Sequence, residues 1–182
     1  GFNFGMIGMG GILEETGKTL TPSPLFATGV LGASLIELAG NEAQKKELLP
    51  SLVAGDLTTA FALEEGNRHA PSDIKTTAKK AGDGFVLNGN KTFVLDGHSA
   101  NKIIVAARTN GESKDQSGIS LFCIDSETAG MAINRMSMLD SRNSAEILFS
   151  DVKIPSDSLL GELDNGFSII EEVLDRAPIG IS

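Results

Sequence analysis

Two histidines, one cysteine and a few paired acids are the side chains whose types could do chemistry in this sequence. Cys123 lies in the alternating run SLFCID. Neither histidine nor a basic cluster stands near it, so a buried structural thiol is expected rather than an activated nucleophile. His98 follows Asp96-Gly97 and reads as a solvated turn residue. His69 belongs to FALEEGNRHAPSD, residues 61–73, where an apolar run breaks into Glu64-Glu65, Arg68-His69 and Pro71-Ser72-Asp73. Clusters of Gly, Asn, Pro and Asp mark loops, so a surface turn is the simple reading. The open question is whether that strand end places groups around a ligand. The acid pairs Glu14-Glu15 and Glu171-Glu172 fall on helical patterns and read as solvated faces. The opening GFNFGMIGMGGIL invites a nucleotide-loop reading that fails: after Gly8 and Gly10, the third glycine of GxGxxG falls on Leu13, with no strand before it. Close helix packing is the better account of these glycines.

The elements that must position such residues fall into three regimes. Over 1–56 the pattern is helical: Leu31, Leu35, Ile36 and Leu38 recur at helical spacing, with Gly40 as a stop. Asn41 with Gln44 predicts a capping box, and Pro50 predicts a kink or a break. Over 57–160 the period shortens to strands, predicted at 58–63, 76–80, 85–87, 91–95, 102–108, 119–124, 131–135 and 145–149. Asn88-Gly89 between two of them is a hairpin signal. Short strands without intervening helices predict an antiparallel barrel or sandwich. The polar stretch 110–116 reads as a mobile connection. Over 161–182 helical spacing returns in Phe167, Ile169, Ile170, Val173 and Leu174. Helices, then a β-barrel, then helices again make an α+β arrangement.

Composition narrows the function. The 182 residues are 41% hydrophobic and 21% charged, near the globular average. A net charge of −9 without a long basic cluster argues against nucleic acid and anionic membranes. One cysteine excludes an internal disulfide, and two histidines argue against zinc. No apolar stretch approaches the roughly 20 residues of a membrane span. The chain opens at Gly1 without Met and stops inside a helical pattern, so it is expected to be a piece of a longer protein.

An ordered set of segments carries a resemblance. EETG at 14–17, GNEAQKKELLPSLVAGDLTTAFALEE, PSDIKTTA, FVLNGNKTFVLDG, IIVAART, FSDVKIP and GFSIIEEVLDRA together resemble the acyl-CoA dehydrogenase family over essentially the whole chain. The resemblance implies an α+β fold with a helical N-terminal segment, an antiparallel β-barrel middle domain and the start of a C-terminal helical bundle. It also implies FAD as cofactor and desaturation of an acyl-CoA thioester between its α and β carbons. A glutamate from the C-terminal helical region would take the α-proton, and the β-hydride would pass to flavin N5. No catalytic residue is therefore expected within these 182 residues.

The resemblance also implies which residues meet the cofactor. Phe61 and Leu63 match the first flavin-contacting strand end, and Glu64 falls where a threonine is common. Ser72 matches a serine near both FAD and CoA, with Asp73 fixing its turn. Phe93 and Val94 match an aromatic-apolar pair beside the ring, and Leu95 stands where a threonine commonly meets N5. Glu64 would place a carboxylate by the pyrimidine edge, or else pair with Arg68. The loop after Glu65 is about two residues longer than in the common TEPGAGSD form, with Pro71 in place of its glycine. Pro178 stands where an arginine is usual after Asp175-Arg176. The implied partners are an acyl-CoA substrate, an electron-transfer flavoprotein and further subunits in a homo- or hetero-oligomer, with a cytoplasmic location. Alternatives are a non-catalytic partner or scaffold subunit and an acyl-CoA oxidase-like or nitroalkane-type flavoenzyme.

Overall fold

The computed structural model of the protein describes residues 5–140 and 142–177. Its elements run α1 (Gly5–Lys18), a π-helical stretch (Phe26–Gly32) leading into α2 (Ala33–Ala39), then α3 (Glu42–Ala54). Eight strands follow: β1 (Thr59–Ala62), β2 (Thr77–Ala81), β3 (Gly84–Leu95), β4 (Lys102–Arg108), β5 (Ile119–Asp125), β6 (Met131–Met136), β7 (Ser144–Pro155) and β8 (Leu159–Leu160). Helix α4 (Phe167–Arg176) closes the described chain. Among the described residues no helix is long and apolar enough to cross a membrane. Pro178 lies outside them.

The strands form one sheet in the order β6-β7-β3-β2-β4-β5-β8, with β1 added beside β4. The ladder is antiparallel as expected except where β1 runs parallel to β4 and Thr77 meets Arg108 in a parallel bridge. Strand β4 is buried on both faces, which explains its unbroken apolar run IIVAA. Ile103, Val105 and Ala107 point into a barrel core with Phe85, Leu87, Phe122, Ile147 and Phe149. Ile104 and Ala106 point the other way, into a second core with Leu35, Ile36, Ile170 and Val173 of the helices. Alternation along one strand thus joins the barrel to the helical layer.

Local chemistry decides the helix ends. Asn41 Oδ1 accepts the Gln44 N–H, and Gln44 Oε1 accepts the Asn41 N–H, both at 2.9 Å, completing the predicted box. Gln44 Nε2 also donates to the carbonyls of Asp157 and Leu159, at 2.8 and 2.9 Å, pinning the helix to the barrel rim. Of the kink or break predicted at Pro50, the break does not occur: α3 runs through it as one helix. The π-helical stretch was not predicted. It accompanies a close approach to β1, where Thr28 Oγ1 donates to the Thr59 carbonyl and accepts the Thr59 N–H. A Cβ at Gly32 would collide with the Thr59 hydroxyl. In the glycine-rich opening, Gly5 and Gly11 have no atom within 4 Å of where a Cβ would stand, so close helix packing is not seen at those two.

The predicted Asn88-Gly89 hairpin is corrected. Strand β3 continues through both residues, and the hairpin to β2 turns at Gly82-Asp83 instead. Asn88 faces a bulge in β7: its Nδ2 donates to Asp151 Oδ1 at 3.0 Å, and its Oδ1 accepts the Asp151 N–H at 2.9 Å. Gly89 has φ +150°, and a Cβ there would sit 2.6 Å from Thr76 Cα. The glycine serves close strand approach, not a turn.

Candidate functional site

The ends of β1 and β3 meet side by side. The Thr92 N–H donates to the Glu64 carbonyl at 2.8 Å, and Lys91 Nζ donates to the Leu63 carbonyl at 2.9 Å. Just beyond, the β3–β7 register shifts between Lys91 and Val94, placing one extra residue on β3. Phe93 takes φ +52° there, a left-handed conformation that is costly for an aromatic residue. Phe93 is 41% exposed, so burial does not explain the strain. The bulge instead turns a large apolar face outward at the strand end.

The other predicted positions divide by what they expose. Phe61 and Leu63 bury their side chains in the helix-facing core, and Val94 buries its own in the barrel core. At these three positions only main chain can face a ligand, so the expected Phe93-Val94 side-chain pair is split. Leu95 is half-buried at the end of β3, followed by Asp96 at φ +56°. Burial pushes the Asp96 carboxyl above its ordinary range, while Asn143, Arg142 and His98 pull it back. Beside Thr92, whose Oγ1 lies 3.8 Å from Met136 Sδ, an open cavity of about 390 Å³ is lined by Arg135, Met136, Ser137, Met138 and Arg142.

Two cations set inside apolar strands hold the lip together. Lys91 is fully buried, and its Nζ also donates to Glu65 Oε1 at 2.7 Å. Glu65 in turn accepts the N–H groups of Lys75 and Thr76, at 2.8 and 2.9 Å. One charge pair therefore joins the end of β1, the approach to β2 and β3. Burial works to raise the Glu65 carboxyl, but Lys91 and the Thr76 N–H outweigh it and hold it below its ordinary value. Burial lowers the Lys91 ammonium to about 8, against the pull of Glu65 and Glu64.

Arg108 is the second. Its Nε donates to the Ile74 carbonyl, Nη1 to Asp115 and Ser117, and Nη2 to Ser72 and Ser113, between 2.7 and 3.3 Å. All five donors of the guanidinium are spent on carbonyls of two loops. The stretch 110–116, expected to be mobile, is thereby clamped, and Ser72 is brought to the lip through its main chain. Asp73 holds its turn through the main chain, as expected. The turn is fixed by the Asp73 N–H on Ala70 O and the Ile74 N–H on Ser72 O, whereas Asp73 Oδ1 is buried without a partner. Sequence reasoning overlooked Lys91 and Arg108 as site residues. The signal was a lone cation in each of KTFVL and IIVAAR, which burial forces to find a partner.

Glu64 pairs with His69, not with Arg68: His69 Nδ1 lies 2.6 Å from Glu64 Oε1. Cys123 is half-buried against the helical layer, and burial pushes its thiol up to about 11, which fits a structural role. His98 is exposed in its turn. Glu15 and Glu172 are exposed and pair with Lys18 and Arg176.

The residues present fit a flat, partly apolar cofactor with polar edges. Phe93 offers an exposed apolar face, adjoining strand ends offer main-chain groups, and Asp73 Oδ1 is a buried acceptor still without a donor. The chain is also similar to known proteins. The acyl-CoA dehydrogenase middle-domain family model matches residues 60–152. A 3-(aryl)acrylate reductase of Clostridium sporogenes is 32% identical over 179 residues, 94% of this chain and 47% of the relative. A short-chain specific acyl-CoA dehydrogenase of Megasphaera elsdenii is 37% identical over 163 residues, 87% of this chain and 42% of the relative. The solved butyryl-CoA dehydrogenase of the same organism superposes with a TM-score of 0.80 at 36% identity, covering 86% of this chain and 42% of that one. The chain spans about half the length of the curated relatives it matches.

Proposed function

This chain belongs to the acyl-CoA dehydrogenase family, and we propose that the whole protein desaturates an acyl-CoA thioester between its α and β carbons with FAD as cofactor. The observation that supports this best is the fused end of β1 and β3, ending on exposed, left-handed Phe93 inside the matched middle domain. When bound, FAD supplies a hydride acceptor. This chain's residues bind and orient: Phe93 and Leu95 give an apolar floor, and main-chain groups at 61–65 and 93–95 give polar edges. Ser72, held by Arg108 through its carbonyl, would stand near both cofactor and thioester. The proton-abstracting glutamate belongs, in this reading, to a C-terminal helical part beginning in 161–182, after a helical part ending in 1–56 and a middle domain over 57–160.

An electron-transfer flavoprotein as acceptor, assembly into oligomers and a cytoplasmic location complete the proposal and rest on the family resemblance. The 32% identity to a 3-(aryl)acrylate reductase supports a second reading, in which the same lip serves hydride delivery toward saturation. The test uses the full-length protein: flavin absorbance that bleaches with an acyl-CoA of suitable chain length is expected. Colourless protein that no chain length reduces overturns the proposal. Reoxidation of the reduced protein by a 3-arylacrylate or its thioester favours the second reading, and substrate-driven oxygen consumption favours an oxidase.

A further inference from the structure

Glu64 is pinned by its own main chain, because its carbonyl accepts the Thr92 N–H where the strand ends meet. Only its side chain is free to turn, and two contacts decide where it goes. Oε1 lies 2.6 Å from His69 Nδ1, and Oε2 accepts the Ala70 N–H at 3.2 Å. The carboxylate thus closes a ring with its own loop, and the imidazole is the shorter and stronger hold. His69 itself is 65% exposed and packs little, whereas the Glu64 side chain is 21% exposed. Of the charged groups around the pair, Lys91 is spent on Leu63 and Glu65, Arg108 on loop carbonyls, and Arg68 is exposed in the same loop.

We infer that His69 is a positioning residue for the candidate flavin edge: it holds the Glu64 carboxylate inside the 64–70 loop and so keeps that charge away from the strand-end rim. The inference rests on the flavin reading above. Its physical content is electrostatic. A carboxylate released toward a reduced, anionic flavin disfavours reduction, whereas one held by an imidazole N–H is partly neutralised and turned aside.

Two measurements on the full-length protein test it. Hydrogen exchange of the peptide covering 64–73 needs no flavin: His69→Ala should speed exchange at Ala70 about tenfold, a loss of local protection of the order of one hydrogen bond. His69→Gln, which keeps a side-chain N–H donor, should restore most of it. The flavin midpoint potential is the second. His69→Ala should weaken the hold on reduced relative to oxidised flavin about tenfold, equivalent to about 30 mV for a two-electron couple. In the Glu64→Gln background the same change should have no effect, because the charge it controls is gone. Unchanged exchange at Ala70 overturns the inference, as do superimposable potentials or an equal shift in both backgrounds. Colourless protein whose Ala70 exchange still rises in His69→Ala sinks the flavin reading and leaves the Glu64–His69 hold standing.

Discussion

Lys91 and Glu65 show how far one buried pair reaches. Removing either partner leaves a buried charge uncompensated, so Lys91→Met and Glu65→Gln should each cost about 3–5 kcal/mol, and the double variant less than their sum. Chemical denaturation of the four proteins measures the cycle; strict additivity would show the pair to be uncoupled. The same pair sets a pH signature. The Glu65 carboxyl is held below its ordinary 4.5, so its contribution is complete above that pH and is lost as pH falls toward the lower folded value. Lys91 is lowered from 10.5 to about 8, so the unfolded chain binds more protons between those values and stability rises with pH there. Lys91→Met should abolish that alkaline rise in the denaturation midpoint. Their pairing could not be read from the sequence. What links them is a contact across 26 positions, which no local spacing encodes.

At the scale of elements, the periodic signals held and the punctuation misled. The capping box at Asn41 and Gln44 formed as spaced, because both bonds are local. Asn88-Gly89 did not turn the chain, because Asp151 on β7 takes both polar groups of the Asn88 side chain and Thr76 crowds Gly89. Gly89→Ala should therefore cost about 2 kcal/mol or more by thermal melting, a steric penalty rather than loss of a turn. A loss below about 0.5 kcal/mol, the size of an ordinary surface change, would show that the strands can part there. Pro50 within α3 makes the related point: a proline marks a cost in a helix, and the contacts of Leu48 and its neighbours with the second core outweigh it.

At the scale of the molecule, β4 is the shared wall. Because Ile103 faces the barrel core and Ile104 the helical layer, the two cores cannot melt independently. Ile104→Ala should cost about 2–5 kcal/mol and still give one transition, with helical circular dichroism and exchange of the barrel amides lost together. Two separated transitions would show the layers to be independent units. Sequence alone determined the α+β order, the strand 102–108, the capped helix and, through motifs strung along the whole chain, the family. All of these rest on spacing within a segment or on the order of segments. Only the tertiary structure decided that Phe93 is turned outward on a bulge, that Arg108 and Lys91 hold the lip, and that Glu64 turns to His69. Each depends on which distant main-chain groups are left needing a partner once the strands are side by side, and that is a property of the assembled sheet, not of any stretch of the chain.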